Sequence, residues 1–145
     1  MVIVAGCEFP EDLWFSVEHQ VWARPEAGGL VRVGITQMGI RQAGEIYMCR
    51  PKSVGSVIEA GRSVAVVELA KSIVSVKSPL AGTVRDVNAV LAASPERVHE
   101  DPYREGWLAL LAPDDWARDA AALVHGAAVE AAMTQYAWLN RIESE

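Results

Sequence analysis

Cysteine is scarce: Cys7 and Cys49 are the only two in 145 residues. A structural zinc site needs four ligands, and His19, His99 and His125 stand at no metal-ligand spacing from these cysteines. No metal centre is expected. Two readings of the thiol pair stay open, idle buried thiols in a reducing compartment or a disulfide formed under some conditions. Long apolar runs are also missing, so no segment reaches the ~20 residues that span a bilayer. The opening run Met1-Val2-Ile3-Val4-Ala5-Gly6 has no basic residue before it and leads into Glu8, Glu11 and Asp12. That is unlike a signal peptide, which places the chain in the cytoplasm. Basic residues are in the minority, 13 against 19 acidic, for a formal charge of −6. Such a balance argues against a nucleic-acid partner and against an anionic membrane surface. Nor is any Ser, Cys or Asp spaced to make a nucleophilic site with His19 or His99, so the chain is not expected to be an enzyme.

What the chain does have is apolar residues, 51% of the total, enough for one sizeable core. The segment 13–22 is apolar and aromatic, Pro25 to Gly29 is a turn, and Leu30 to Thr36 alternates with period two. Together they predict a hairpin. Gln37 to Ala43 predicts one or two helical turns ended by Gly44. Glu45 to Cys49 reads as a strand broken at Arg50-Pro51-Lys52. Ser63 to Glu68 and Ile73 to Val76 are β-branched strands, and Thr83 to Val87 is a further one.

Short strands at this spacing predict a mainly β architecture, an antiparallel sandwich or barrel. Further on, 86–93 and 94–99 read as a short helix and a loop, and 106–111 as a closing strand. After Pro113, Asp114-Asp115 can cap a helix. Alanine-rich 117–124 and 129–139 predict helices separated at Gly126, with Trp138, Leu139 and Ile142 packing on the sheet or on a partner. The expected organisation is a β-rich domain over residues 1–113 with a C-terminal helical extension over 114–145 packed on it.

Lys71 falls between two of the strands, in Val66-Val67-Glu68-Leu69-Ala70-Lys71-Ser72-Ile73. Strands separated by three or four residues form a hairpin, so Lys71 sits at or beside its tip with an accessible amine. On spacing alone it is an ordinary solvated turn lysine. A biotin carrier wants Met-Lys-Met there, and this tip is Ala70-Lys71-Ser72.

Several collinear runs give that lysine a meaning. Val33-Gly34-Ile35-Thr36, Gly44-Glu45-Ile46, Val54-Gly55, Val67-Glu68-Leu69-Ala70-Lys71-Ser72, Ser78-Pro79-Leu80-Ala81-Gly82-Thr83-Val84, Val87-Asn88 and Asp101-Pro102-Tyr103-Arg104-Glu105-Gly106-Trp107 keep their order and spacing from about residue 13 to residue 113. In these the chain resembles the H protein of the glycine cleavage system. The resemblance implies a barrel-sandwich hybrid with an exposed lysine hairpin and a C-terminal helix. It also implies lipoic acid covalently attached to Lys71, with Glu68, Ala70, Ser72 and His19 around the arm. The partners implied are a lipoate ligase or lipoyl synthesis enzymes and dihydrolipoamide dehydrogenase. The family holds its amine cargo with two acidic side chains, and at those positions this chain has Gln20 and Ser75. Arg50-Pro51-Lys52 replaces an acidic turn. In these departures, in the leader Cys7 to Leu13 and in Cys49, the chain is similar to the lipoate-binding proteins of the heterodisulfide-reductase-like sulfur oxidation system. That second resemblance implies an arm shuttling sulfur intermediates to a heterodisulfide-reductase-like complex. The alternative is a glycine cleavage carrier bearing the aminomethyl group.

Overall fold

The computed structural model describes residues 1–144. In chain order the strands are β1 (Val2–Val4), β2 (Cys7–Phe9), β3 (Trp14–Ser16), β4 (Val21–Pro25), β5 (Val31–Ile35), β6 (Met48–Pro51), β7 (Val57–Ile58), β8 (Ser63–Glu68), β9 (Ile73–Lys77), β10 (Gly82–Val87), β11 (Ala109–Pro113) and β12 (Val124–His125). The helices are α1 (Gln37–Ala43), α2 (Arg97–Glu100), α3 (Trp116–Ala120) and α4 (Val129–Leu139). A seven-stranded sheet runs β12-β3-β4-β5-β11-β10-β7, a three-stranded sheet runs β6-β8-β9, and β1-β2 form a separate ribbon. Each strand pairing is antiparallel. The expected mainly β sandwich with a C-terminal helix is the fold observed.

Period-two alternation divides the interior in two. On β4, Val21 and Ala23 face the three-stranded sheet and join Val31, Val33, Cys49, Val67 and Val76 in the sandwich core. Trp22, between them, points the other way into a second core with Phe9, Phe15, Met38, Tyr103 and Met133, roofed by β1-β2 and α4. Gly34 faces Trp22 across the β4–β5 ladder. A Cβ at Gly34 would come within 2.5 Å of the indole, so only glycine fits there.

Several of the collinear runs, with Trp22 and Arg24 of β4, hold this framework together. Trp22 Nε1 donates to Pro102 O (3.0 Å), and Arg24 donates to Tyr103 O (2.8 Å). The Tyr103 hydroxyl donates to Glu8 O and accepts from the Gln37 amide (3.0 Å). Burial pushes that phenol well above the usual tyrosine range. Asn88 Nδ2 donates to Glu105 O (2.6 Å) and Trp107 O (2.9 Å), which fixes the crossing from β10 to β11. Gly106 lies against the backbone of Arg97 and Val98, leaving no space for a side chain. The buried Asp119 carboxylate accepts from the Ala81 amide (2.8 Å), tying α3 to the turn before β10.

The α1 boundaries follow from local chemistry. Thr36 Oγ1 accepts from the Gly39 amide at the start, and Gly44 closes the helix at φ +80°. Asp115 caps α3 through the Arg118 amide (3.1 Å).

Elsewhere the structure corrects the sequence reading. The strand expected over Glu45 to Cys49 is β6, Met48–Pro51, and Pro51 lies within it. β6 is an edge strand, and an edge tolerates a residue without an amide proton. Asp86 and Val87 belong to β10, a 3-10 turn covers Ala89–Ala92, and α2 falls where a loop was expected. The closing strand is Ala109–Pro113. The helix expected to reach Val124 stops at Ala120. Val124 and His125 pair with β3, where the His125 ring stacks on Trp14 (4.2 Å) and bonds Leu13 O through Nδ1 (2.8 Å). Trp138 and Leu139 lie outside both cores and are exposed, Trp138 beside a shallow groove it shares with Ile3, whereas Ile142 is half-buried against the second core. Cys7 and Cys49 lie in different cores, and no disulfide joins them. Burial pushes the Cys49 thiol up to about 12.

Candidate functional site

β8 and β9 pair from Ser63↔Lys77 to Glu68↔Ile73. Beyond the last pair the chain turns through Leu69-Ala70-Lys71-Ser72, closed by the Leu69 amide donating to Ser72 O (2.8 Å). None of the four has positive φ, so the turn needs no glycine and Lys71 fits without strain. Ala70, Lys71 and Ser72 are exposed, and Lys71 has no hydrogen-bond or ion-pair partner among the described residues. Its amine stands on a four-residue turn at the end of the three-stranded sheet and has no contact of its own. Glu68, on β8, lies 3.8 Å from the Arg50 guanidinium on the neighbouring strand. Of the residues named from the sequence, Glu68, Ala70, Lys71 and Ser72 therefore cluster at one end of the molecule.

His19 does not join them. It lies with Gln20 in a cleft of about 120 Å³ against the turn-proximal half of the hairpin, walled by Val67, Val74, Ser75 and Val76 on one side and by Gly39, Gln42 and Ala43 of α1 on the other. At ~30 Å³ per water, the space takes roughly four waters or a group of similar size. Among the described residues no carboxylate lines it. Gln20 is buried at φ +53°, and its amide is already engaged: Nε2 donates to Val17 O (2.8 Å) and Met133 Sδ (3.2 Å), and Oε1 accepts from Thr36 Oγ1 (2.7 Å). It braces α1 and α4 against β4. Gln42 was not singled out from the sequence. Its Oε1 accepts from the Tyr136 hydroxyl (2.9 Å), which leaves its amide N–H groups as donors at the rim. The available signal was its place beside Gly39 and Ala43 on one face of α1, a polar side chain between two small ones. His99, the other histidine weighed as a base, accepts the Ile46 amide proton on Nε2 (3.1 Å) and is structural.

This arrangement is suited to carrying rather than catalysis: one reachable amine at the tip of a hairpin, and a small cleft against the hairpin's turn-proximal half. It fits a covalently tethered group, because attachment needs only an exposed lysine that an enzyme can enclose.

Comparison with known proteins agrees. The family model described as glycine cleavage H-protein matches residues 13–136. The chain is 39% identical over 124 residues to the glycine cleavage system H protein of Anaeromyxobacter sp. (strain K), covering 86% of this chain and 94% of that one. To glycine cleavage system H protein 2 of Aquifex aeolicus it is 39% identical over 121 residues, 83% of this chain and 75% of the other. A crystal structure of the H protein from Mycobacterium marinum superposes with a TM-score of 0.69 at 27% identity, covering 92% of this chain and 99% of that one. The chain belongs to the glycine cleavage H-protein family, whose members are non-catalytic carriers of lipoic acid bound covalently to a lysine.

Proposed function

We propose that Lys71 is the lipoyl attachment site and that the chain is the cytoplasmic aminomethyl carrier of a glycine cleavage system. The observation that carries this reading is the exposed, unpartnered Lys71 at the tip of the β8–β9 hairpin. When bound, the cofactor supplies a dithiol whose thiolate is both nucleophile and leaving group. The protein's share is mechanical. The turn leaves Nζ exposed, so a group attached there reaches into the active sites of successive partners. A lipoate ligase would join Nζ to the carboxyl carbon of lipoate as ATP is split to AMP and diphosphate. A dihydrolipoamide dehydrogenase would reoxidise the arm. The segment from residue 114 onward serves the 1–113 unit as a buttress, through Asp119, Met133 and Tyr136.

The relatives' names favour the aminomethyl cargo. One observation favours the sulfur cargo as a second reading: the cleft offers no carboxylate to a protonated amine, and the amide of Gln20 is committed elsewhere. A charge-assisted hydrogen bond contributes about 1.5–3 kcal/mol, so two missing ones would weaken retention of a cation by two orders of magnitude or more.

Two measurements test the proposal. Intact-mass analysis after incubation with a lipoate ligase should show one lipoyl addition, absent in Lys71→Arg. Addition persisting in that variant, for example on Lys77, would move the site. The loaded protein should then support glycine decarboxylation at a rate near that of an authentic H protein. A rate a hundredfold lower, with a stable sulfur adduct on the arm, would replace the aminomethyl reading with the sulfur one.

A further inference from the structure

Charge is divided unevenly along the chain. Its three lysines, Lys52, Lys71 and Lys77, all lie between residues 48 and 77, together with Arg50 and Arg62. Only Glu59 and Glu68 oppose them there. This segment is five cations against two carboxylates, +3; the whole chain is −6, so the remainder carries −9.

The topology gathers these cations on one surface. In the three-stranded sheet Cys49, Val67 and Val76 are buried against the sandwich core. Alternation therefore turns Arg50, Lys52 and Lys77 outward, on the face that ends at the Lys71 turn. The Lys52 amide still bonds Val64 O (2.9 Å), so Lys52 keeps the β6 register. The acidic residue on this face, Glu68, is offset by Arg50 at 3.8 Å, and Glu59 is offset by Arg62 at 3.8 Å. Lys52 and Lys77 are left without an ion-pair partner among the described residues.

We infer that the outer face of β6-β8-β9 is an electrostatic docking surface for a protein partner with carboxylates around its active-site mouth, and that the enzyme acylating Lys71 is such a partner. The inference rests on the assignment of Lys71 as the attachment site. The outer face adjoins the Lys71 turn, within reach of an enzyme that encloses that turn. A +3 face on a body of −9 makes a molecular dipole that turns the hairpin toward an acidic mouth and the rest of the surface away from it. Acylation removes the Lys71 charge, yet Arg50, Lys52 and Lys77 remain, so the same face also steers the loaded carrier.

The test uses the full chain, lipoate, ATP and the purified lipoate ligase of the same organism, with transfer followed by intact mass between 20 and 500 mM NaCl. The wild-type kcat/KM should fall about tenfold across that range as screening shortens the reach of the charges. The variant Arg50→Glu/Lys52→Glu/Lys77→Glu should start at least tenfold lower and respond little to salt. A charge-matched control on exposed arginines elsewhere, Arg85→Glu/Arg104→Glu/Arg141→Glu, should behave as wild type. Unfolding curves of all three establish that each is folded. Equal rates and salt responses in wild type and the first variant would overturn the docking surface while leaving Lys71 in place. Transfer that persists in Lys71→Arg would instead overturn the attachment site, and the docking inference with it. Low-salt self-association, or binding of a DNA oligonucleotide, abolished by the first variant with transfer unaffected, would assign the face to a second copy or to a polyanion and also overturn it.

Discussion

The hairpin tip and the framework around Trp22 differ in how many tertiary bonds hold each residue. At the framework, Trp22, Gly34, Asn88, Tyr103 and Gly106 are each fixed by a part-buried hydrogen bond or by a contact that excludes another side chain. At the tip, Lys71 is fixed by neither. Gly34, Asn88, Tyr103, Gly106 and Lys71 all fall in the collinear runs that carry the family resemblance. Membership in those runs therefore does not separate residues that build the molecule from the one proposed to carry the cofactor. The separation comes from asking which one packing fails to explain.

Five substitutions or conditions would break or sharpen that contrast. Trp22→Ala empties the second core beside Gly34 and strands the Pro102 carbonyl, and should cost about 3–5 kcal/mol in chemical denaturation. A loss under 1 kcal/mol would mean the framework is not where stability resides. Gln20→Glu places a carboxylate against Val17 O and Met133 Sδ, for about 3 kcal/mol at pH 8. Its folded pKa is raised, so the deficit should shrink in acid and grow as pH rises through that value. Denaturation at pH 5 and pH 8 giving equal deficits would show that the carboxylate has found solvent or a partner.

Asn88→Ala removes two donors from Glu105 O and Trp107 O and should cost about 2 kcal/mol. Cys49 tests the sandwich core. Its thiol moves from an ordinary value near 9 up to about 12 on folding. Between those values the folded state keeps a proton the unfolded chain has lost, so stability falls as pH rises, by about 1.4 kcal/mol per unit. Cys49→Ala should flatten the slope measured from pH 9 to pH 11 relative to wild type; an unchanged slope would place the thiol in contact with water. Last, Lys71→Arg should shift stability by less than about 0.5 kcal/mol while abolishing modification. A substantial loss of stability there would erase the distinction between tip and framework.

The hairpin was legible because its two strands are runs of β-branched residues and its turn interrupts them cleanly; Ser63–Glu68 and Ile73–Lys77 match the reading to within one residue. α1 was legible from residues at its own ends, Thr36 and Gly44. β6 was misplaced because Pro51 was taken to stop a strand, and nothing local to Pro51 shows that the strand is an edge. β12 was missed because alanine-rich surroundings favour helix, whereas the Trp14 ring and the Leu13 carbonyl that hold His125 are more than a hundred residues away. The cleft was only partly legible. His19, Gln20 and Ser75 were marked through the family resemblance, but Gln42 and the commitment of the Gln20 amide to Val17, Thr36 and Met133 depend on long-range packing.

Two cores with one thiol each have a consequence for a carrier whose cargo rides on sulfur. Cys7 is fully enclosed and Cys49 nearly so, in compartments separated by a sheet. Cys49, held protonated at neutral pH, is a poor nucleophile as well as an inaccessible one. Burial leaves neither thiol on the surface, so a dithiol carried at Lys71, as proposed, would meet its thiol partners on the enzymes it visits rather than on its own scaffold.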